Sequence, residues 1–105
     1  MDWTRETAIA WCRQHPQHPV RLTAPENPEL PDLQGRLEEV LELDLCGSIL
    51  TETELTLEAP LASGHTQAYL TFHSSFLGIQ LLHASGTPEA QSFELPYPHL
   101  ELALL

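Results

Sequence analysis

The chain has 105 residues, 15 acidic side chains against four arginines, and no lysine, for a formal net charge of −11 at pH 7. Four cations cannot neutralise a run of phosphates or hold an anionic bilayer, so nucleic acid and membrane surfaces are excluded as partners. With 42% hydrophobic and 18% charged residues it is too apolar for an acidic disordered tail. Its length suits a single domain over residues 1–105 with a real core.

The first residues carry no basic region followed by an apolar run, and no stretch is long enough to span a membrane. Cys12 and Cys46 do not form a CxxC pair. The expectation is a cytoplasmic protein with reduced, partly buried thiols.

In chain order, the first predicted element is a helix over about residues 3–14. Asp2 or Thr4 is a suitable N-cap, and Glu6 suits the positive end of the helix dipole. Trp3, Thr7, Ala8, Ala10, Trp11 and Cys12 form its apolar face, and Pro16 stops it. Residues 16–32 hold five of the nine prolines and read as an extended connector. Within it Val20 to Thr23 suits a short edge strand. Pro25, Pro28 and Pro31 would share one face of a polyproline II helix. As a ligand for a proline-binding groove this triplet lacks a flanking base, since its neighbours are Glu26, Glu29 and Asp32.

Residues 33–40 fit two readings. Leu33, Leu37, Val40 and Leu41 suit a helix capped by Asp32, but Gly35 and the alternation that follows favour a strand. From residue 37 onward, apolar and polar residues alternate over 37–46, 49–59, 66–73, 76–84, 90–95 and 98–105. Such alternation marks half-buried strands. The segments are separated by Gly47-Ser48, Pro60 to Gly64, Ser74-Ser75, Ser85-Gly86-Thr87-Pro88 and Pro96-Tyr97-Pro98.

Facing residues of an antiparallel pair share a side of the sheet, so parity constrains each loop. Leu41, Leu43 and Leu45 and then Ile49, Leu55 and Leu57 are all odd-numbered. One shared apolar face therefore requires an odd-length loop of three or five residues, or a bulge. Across Ser74-Ser75 the parity changes, and a two-residue turn sets Leu70 against Ile79 and Phe72 against Leu77. The predicted fold is α+β: one N-terminal helix packing Trp3, Trp11 and Ala8 on a meander of five or six antiparallel strands.

The charge is uneven. Residues 1–36 hold five acids and all four arginines, whereas residues 37–105 hold ten acids and no base. Glu38, Glu42, Asp44, Glu52, Glu54 and Glu58 are expected to share one side of the first hairpin. Solubility alone would explain such a face. It also suits a non-enzymatic binding module of inhibitor, immunity or adaptor type. Glu42, Asp44, Glu52, Glu54 and Glu58 would then contact a basic protein. Two alternatives stand beside this reading. One is a homo-oligomer assembled through sheet edges or the leucine-rich residues 100–105. The other is a small zinc protein or enzyme using Cys12, His15 and His18, with His65, His73, His83 or Cys46 as a further ligand.

No cofactor is expected, because the glycines are scattered and form no phosphate-binding loop. Glu42/Asp44 and Glu52/Glu54 sit at the i, i+2 spacing of a carboxylate pair, about 6.5 Å apart on a strand, without a predicted cleft. His65 and His73 would share a face of one strand, but Ser74-Ser75 lacks the strained elbow of a serine nucleophile.

Overall fold

A computed structural model describes residues 2–83 and 91–105. The helix, α1, runs Arg5–Gln14. Thr4 caps it: its side chain accepts the Thr7 N–H, and the Thr7 hydroxyl accepts the Thr4 N–H. His15 closes the other end, ahead of Pro16. Ala8, Ile9 and Cys12 are buried, and Trp3 and Trp11 pack partly buried against the core. Thr7 and Ala10 lie outside this face, and Ile9 lies within it.

Eight strands follow, rather than five or six. They are β1 (Pro19–Thr23), β2 (Leu33–Leu37), β3 (Leu41–Leu45), β4 (Ser48–Leu57), β5 (Gln67–Phe72), β6 (Phe76–Leu82), β7 (Gln91–Pro96) and β8 (Glu101–Leu104). All pairings are antiparallel, in the order β7-β6-β5-β4-β2-β1-β8, with β3 also on β4. The α+β class stands. The predicted Ser85–Pro88 turn lies outside the described residues.

The sheet must curl. A flat path across six inter-strand spacings would set its outer strands about 29 Å apart. Yet β7 ends at Pro96 and β8 begins at Glu101, and the residues between them reach at most about 18 Å. A 3₁₀ turn, Tyr97–His99, makes the crossing. Tyr97 and Leu100 are buried there, and the Tyr97 hydroxyl donates to the His73 carbonyl at 2.6 Å. The concave face holds Val20, Leu22, Leu33, Leu37, Leu55, Leu70, Leu77, Ile79, Leu81 and Leu95, all nearly solvent-free.

Two expectations about the proline segment are corrected. β1 lies between β2 and β8, not at an edge. Proline is its first residue, so the missing N–H does not interrupt the strand. Residues 24–30 are not polyproline II. Asn27 N–H bonds the Ala24 carbonyl and Leu30 N–H bonds the Asn27 carbonyl, giving two successive turns that bury Ala24 and Leu30. Residues 33–37 are a strand, and Asp32 pairs with Arg21 instead of capping a helix.

The Ser74-Ser75 hairpin has the predicted register, with Leu70 opposite Ile79 and Phe72 opposite Leu77. The first hairpin does not. Its loop has two residues, Cys46 and Gly47, and Leu45 faces Ser48. The parity change comes from a bulge, because Leu37 faces Leu55 but Leu41 faces Glu52. Glu38, Glu39 and Val40 thus stand against only Thr53 and Glu54. Odd residues before the bulge point into the core, and odd residues after it point out.

Gly35 is required where β2 meets β4: a Cβ there would fall on the Thr56 carbonyl oxygen. Gly35→Ala should therefore cost about 2–3 kcal/mol. The expected result is a lower urea midpoint at unchanged denaturant slope.

Candidate functional site

The β3–β4 hairpin is the part of the chain that the core does not absorb. Among the described residues, positions 48–51 of β4 have β3 as their sole strand partner, because β5 begins its pairing at Glu52. The hairpin thus leaves the sheet as a two-stranded ribbon. Cys46 (φ 53°) and Gly47 (φ 88°) both occupy the left-handed region that a tight hairpin turn demands. Asp44 Oδ1 accepts the Gly47 N–H at 3.1 Å and holds the turn.

The bulge decides what the ribbon shows. Leu41, Leu43 and Leu45 are 51%, 40% and 59% exposed, and Ile49 is 66% exposed. They account for four of the six large hydrophobics exposed among the described residues; the others are Leu104 and Leu105. The expectation that the leucines of 41–45 line the core is overturned, since every residue of β3 is exposed.

The acids do not form one face either. Pairing puts Leu41 with Glu52 on one side of the sheet, and Glu42 and Asp44 with Thr51 and Ile49 on the other. Glu52 is buried, and Tyr69, partly exposed on the neighbouring strand, hydrogen-bonds its carboxylate. That bond, with burial, pushes the Tyr69 phenol up to about 12. Glu54 lies two residues along the same face, opposite Tyr69. Glu58 follows the far end of β4, where its N–H bonds the Gln34 carbonyl. Glu38 sits in the bulge and accepts the Gln17 side-chain amide at 3.0 Å.

Helix α1 supplies the one arginine that pairs with a hairpin acid among the described residues. Arg13 Nη2 meets Glu42 Oε1 at 2.6 Å, with both side chains about half exposed. An exposed pair of this kind contributes at most about 1 kcal/mol. Arg5 donates instead to the Phe72 carbonyl (3.1 Å) and the Thr51 hydroxyl (3.3 Å). Between helix and ribbon lies an open groove of about 680 Å³ with Ile9 and Ile49 among its walls. Arg21 is bound to Asp32, which it holds below the usual carboxylate range. Arg36 donates to the Gln17 carbonyl. No other guanidinium answers the hairpin acids.

The metal candidates do not converge. Cys12 is buried, and burial pushes its thiol up to about 12. His15 stacks on Trp11 at 4.7 Å and lies 5.9 Å from the His18 ring. Among the described residues no three His, Cys, Asp or Glu side chains come together as ligands. Cys46 is exposed at the hairpin turn, correcting the expectation of a partly buried thiol. His65 and His73 do not share a strand, because β5 starts at Gln67.

Sequence reasoning missed one pair: Ser63 Oγ lies 2.6 Å from Nδ1 of buried His65, whose ring stacks on His83 at 4.3 Å. The Ser-Gly-His triplet was its signal, because Gly64 takes φ +90° between them. Comparison with family models, curated proteins and solved structures finds no match for this chain. No helix among the described residues is long and apolar enough to cross a membrane.

Exposed and buried leucines should separate sharply in stability. Leu45→Ser is expected to change the unfolding free energy by less than about 0.5 kcal/mol, and Leu55→Ala to cost about 3 kcal/mol. Urea titration of the two variants checks this.

Alkali gives a second check. The Tyr69 and Tyr97 phenols are both raised to about 12, Tyr97 chiefly by burial, whereas an unfolded phenol ionises near 10. Folding therefore favours the neutral phenols. That contribution is complete below about pH 10 and disappears as pH climbs through 12. Urea midpoints should fall across this interval, and Tyr69→Phe should lessen the fall.

Proposed function

We propose that this chain is a non-enzymatic protein-binding module that engages a basic partner with the β3–β4 hairpin. The observation that carries the reading is the exposure of Leu41, Leu43 and Leu45 in a row along one face of a projecting ribbon, with Ile49 exposed on its other face. Monomeric proteins rarely expose contiguous apolar surface unless something covers it. The sign of the partner follows from the ribbon's own charge. Glu38, Glu39, Glu42, Asp44, Glu52 and Glu54 flank or belong to it, and residues 37–105 contain no lysine or arginine. Opposite charge at the rim speeds encounter and rejects acidic competitors. Glu42 and Asp44 are the direct contacts in this reading. Glu54 lies at the flank, Glu52 is engaged by Tyr69, and Glu58 stands at the other end of β4.

A second reading has its own observation. Among the described residues β8 is an outermost strand paired with β1 alone, and Leu104 and Leu105 at its end are more than half exposed. Self-association through this edge would give a homodimer that hairpin substitutions leave intact. Sedimentation of the wild-type protein over a wide concentration range tests it.

Photo-crosslinking from position 43 in the native cell, followed by purification of what is captured, tests the main reading. The captured protein should be basic. Its affinity should drop at least about tenfold between low salt and about 0.5 M salt. Binding should be lost with Leu43→Asp and with Glu42→Lys/Asp44→Lys, and retained with Glu29→Gln. An acidic partner, or binding indifferent to these hairpin changes, would remove the reading.

A further inference from the structure

We infer that the partner binds by strand addition: a basic, alternating segment pairs with the outer edge of β3 and extends the sheet. This rests on the hairpin being the contact surface, and it specifies the mode and the chemistry of the contact.

The edge is open. β3 pairs with β4 on one side, and among the described residues no strand or main-chain hydrogen bond occupies the other. β2, which shares the same side of β4, turns away at the bulge before β3 begins. The two-residue loop closes on the Leu45–Ser48 pair. Hydrogen-bonded and non-bonded pairs alternate along a hairpin. Leu41, Leu43 and Leu45 therefore spend their N–H and C=O groups on β4, while Glu42 and Asp44 turn theirs outward. An incoming strand gains about four main-chain hydrogen bonds from these two residues.

Side-chain chemistry then selects the occupant. Residues opposite each other across a new pair share a face. Every second side chain of the added strand lies beside exposed Leu41, Leu43 and Leu45 and should be apolar. The others lie beside Glu42 and Asp44. Arginine or lysine fits there: Asp44 is exposed, with one carboxylate oxygen held by the Gly47 N–H, and Glu42 has only the exposed Arg13 pair to share.

A second copy of this chain matches worse. An antiparallel β3–β3 pair centred on Leu43 would stack leucine on leucine but set Glu42 against Asp44 twice. Like charges directly opposite across strands are destabilising, and each copy carries −11. Charge complementarity therefore favours a basic strand over self-pairing.

The probe is a capped seven-residue peptide alternating arginine and valine. Its controls are an alternating glutamate–valine peptide and an arginine–valine peptide N-methylated at its arginine amides, the ones that face Glu42 and Asp44 in the proposed pairing. With isotope-labelled full-length protein, the arginine peptide should shift the 41–50 amide signals. It should also slow hydrogen exchange at Glu42 and Asp44 at least about tenfold. N-methylation removes main-chain donors and leaves the side chains, and should weaken binding about tenfold or more. Glu42→Gln/Asp44→Asn, verified as folded from its amide spectrum, should weaken binding about fivefold. The glutamate peptide should not bind.

Equal binding of methylated and unmethylated peptides, both reduced in the double variant, would keep the hairpin as a basic-partner surface and overturn strand addition. Absence of any change at residues 41–50 with the arginine peptide would overturn both. Protection of Glu42 and Asp44 that grows with protein concentration alone, at neutral pH, would assign the edge to a second copy and overturn the basic occupant.

Discussion

One extra residue between β2 and β3 sets the surface of this molecule. β4 is a continuous strand, and the chain beside it shifts register once, between Leu37 opposite Leu55 and Leu41 opposite Glu52. The shift is held by hydrogen bonds. Glu38 N–H bonds the Glu54 carbonyl at 2.8 Å, and the Thr53 hydroxyl donates to the Glu38 carbonyl at 2.8 Å. The Leu37 carbonyl accepts the Gln17 N–H at 2.8 Å, which ties the bulge to the end of α1. With these backbone groups of Leu37 and Glu38 satisfied, the bulge is an integral part of the sheet. It turns Leu41, Leu43 and Leu45 away from the side that buries Leu33 and Leu37, and it brings Glu42 under the helix, within reach of Arg13.

That arrangement is not the most stable use of the sequence. Three leucines, each able to contribute about 1.5–3 kcal/mol if fully buried, are left 40–59% exposed to water. The rest of the sheet offsets this. The core-facing positions of β1, β2, β5 and β6 are almost completely dry. The capped helix lies over them with Ala8, Ile9 and Cys12, and the Tyr97–Leu100 crossing ties the two ends of the curled sheet together. The ribbon can project because the fold does not depend on its leucines.

How much of this was legible in the sequence depends on whether the signal is local. Thr4 and Pro16 bound the helix by capping and by steric exclusion, both of which act within a few residues. The Ser74-Ser75 hairpin was legible because a two-residue turn and a parity change leave one register. The bulge was not. Leu33 and Leu37 before it, and Leu41, Leu43 and Leu45 after it, are odd-numbered alike, so each piece alternates correctly while their faces oppose each other. Nothing in residues 38–40 marks the inversion, which arises only from pairing with Thr53 and Glu54. The proline segment misled for a related reason. A spacing of three suits polyproline II, but burial of Ala24 and Leu30 folds the segment into turns. The acidic signal placed the charge in the right hairpin, with Glu52 and Glu54 on the side away from the core as pairing has them, but it put Glu42 and Asp44 on the wrong face, because face assignment inherits the register.

The same inversion gives the charge a second role. An exposed edge with apolar side chains on one face is a template for indiscriminate strand pairing, and native sheets commonly protect such edges with charge. Lysine is the frequent choice, yet here the edge residues are Glu42 and Asp44. The arginines are committed elsewhere: Arg5 to Thr51 and Phe72, Arg21 to Asp32, Arg36 to Gln17. Only Arg13 pairs with a hairpin carboxylate, from one side. Acidic protection repels other copies of this chain and acidic strands, and it offers a neutral strand no compensating charge. It does not repel a basic strand. In the proposed complex the leucines would supply attraction that any apolar strand would share and the carboxylates would restrict which strand can use it, so affinity and selectivity would come from opposite faces of the same five residues.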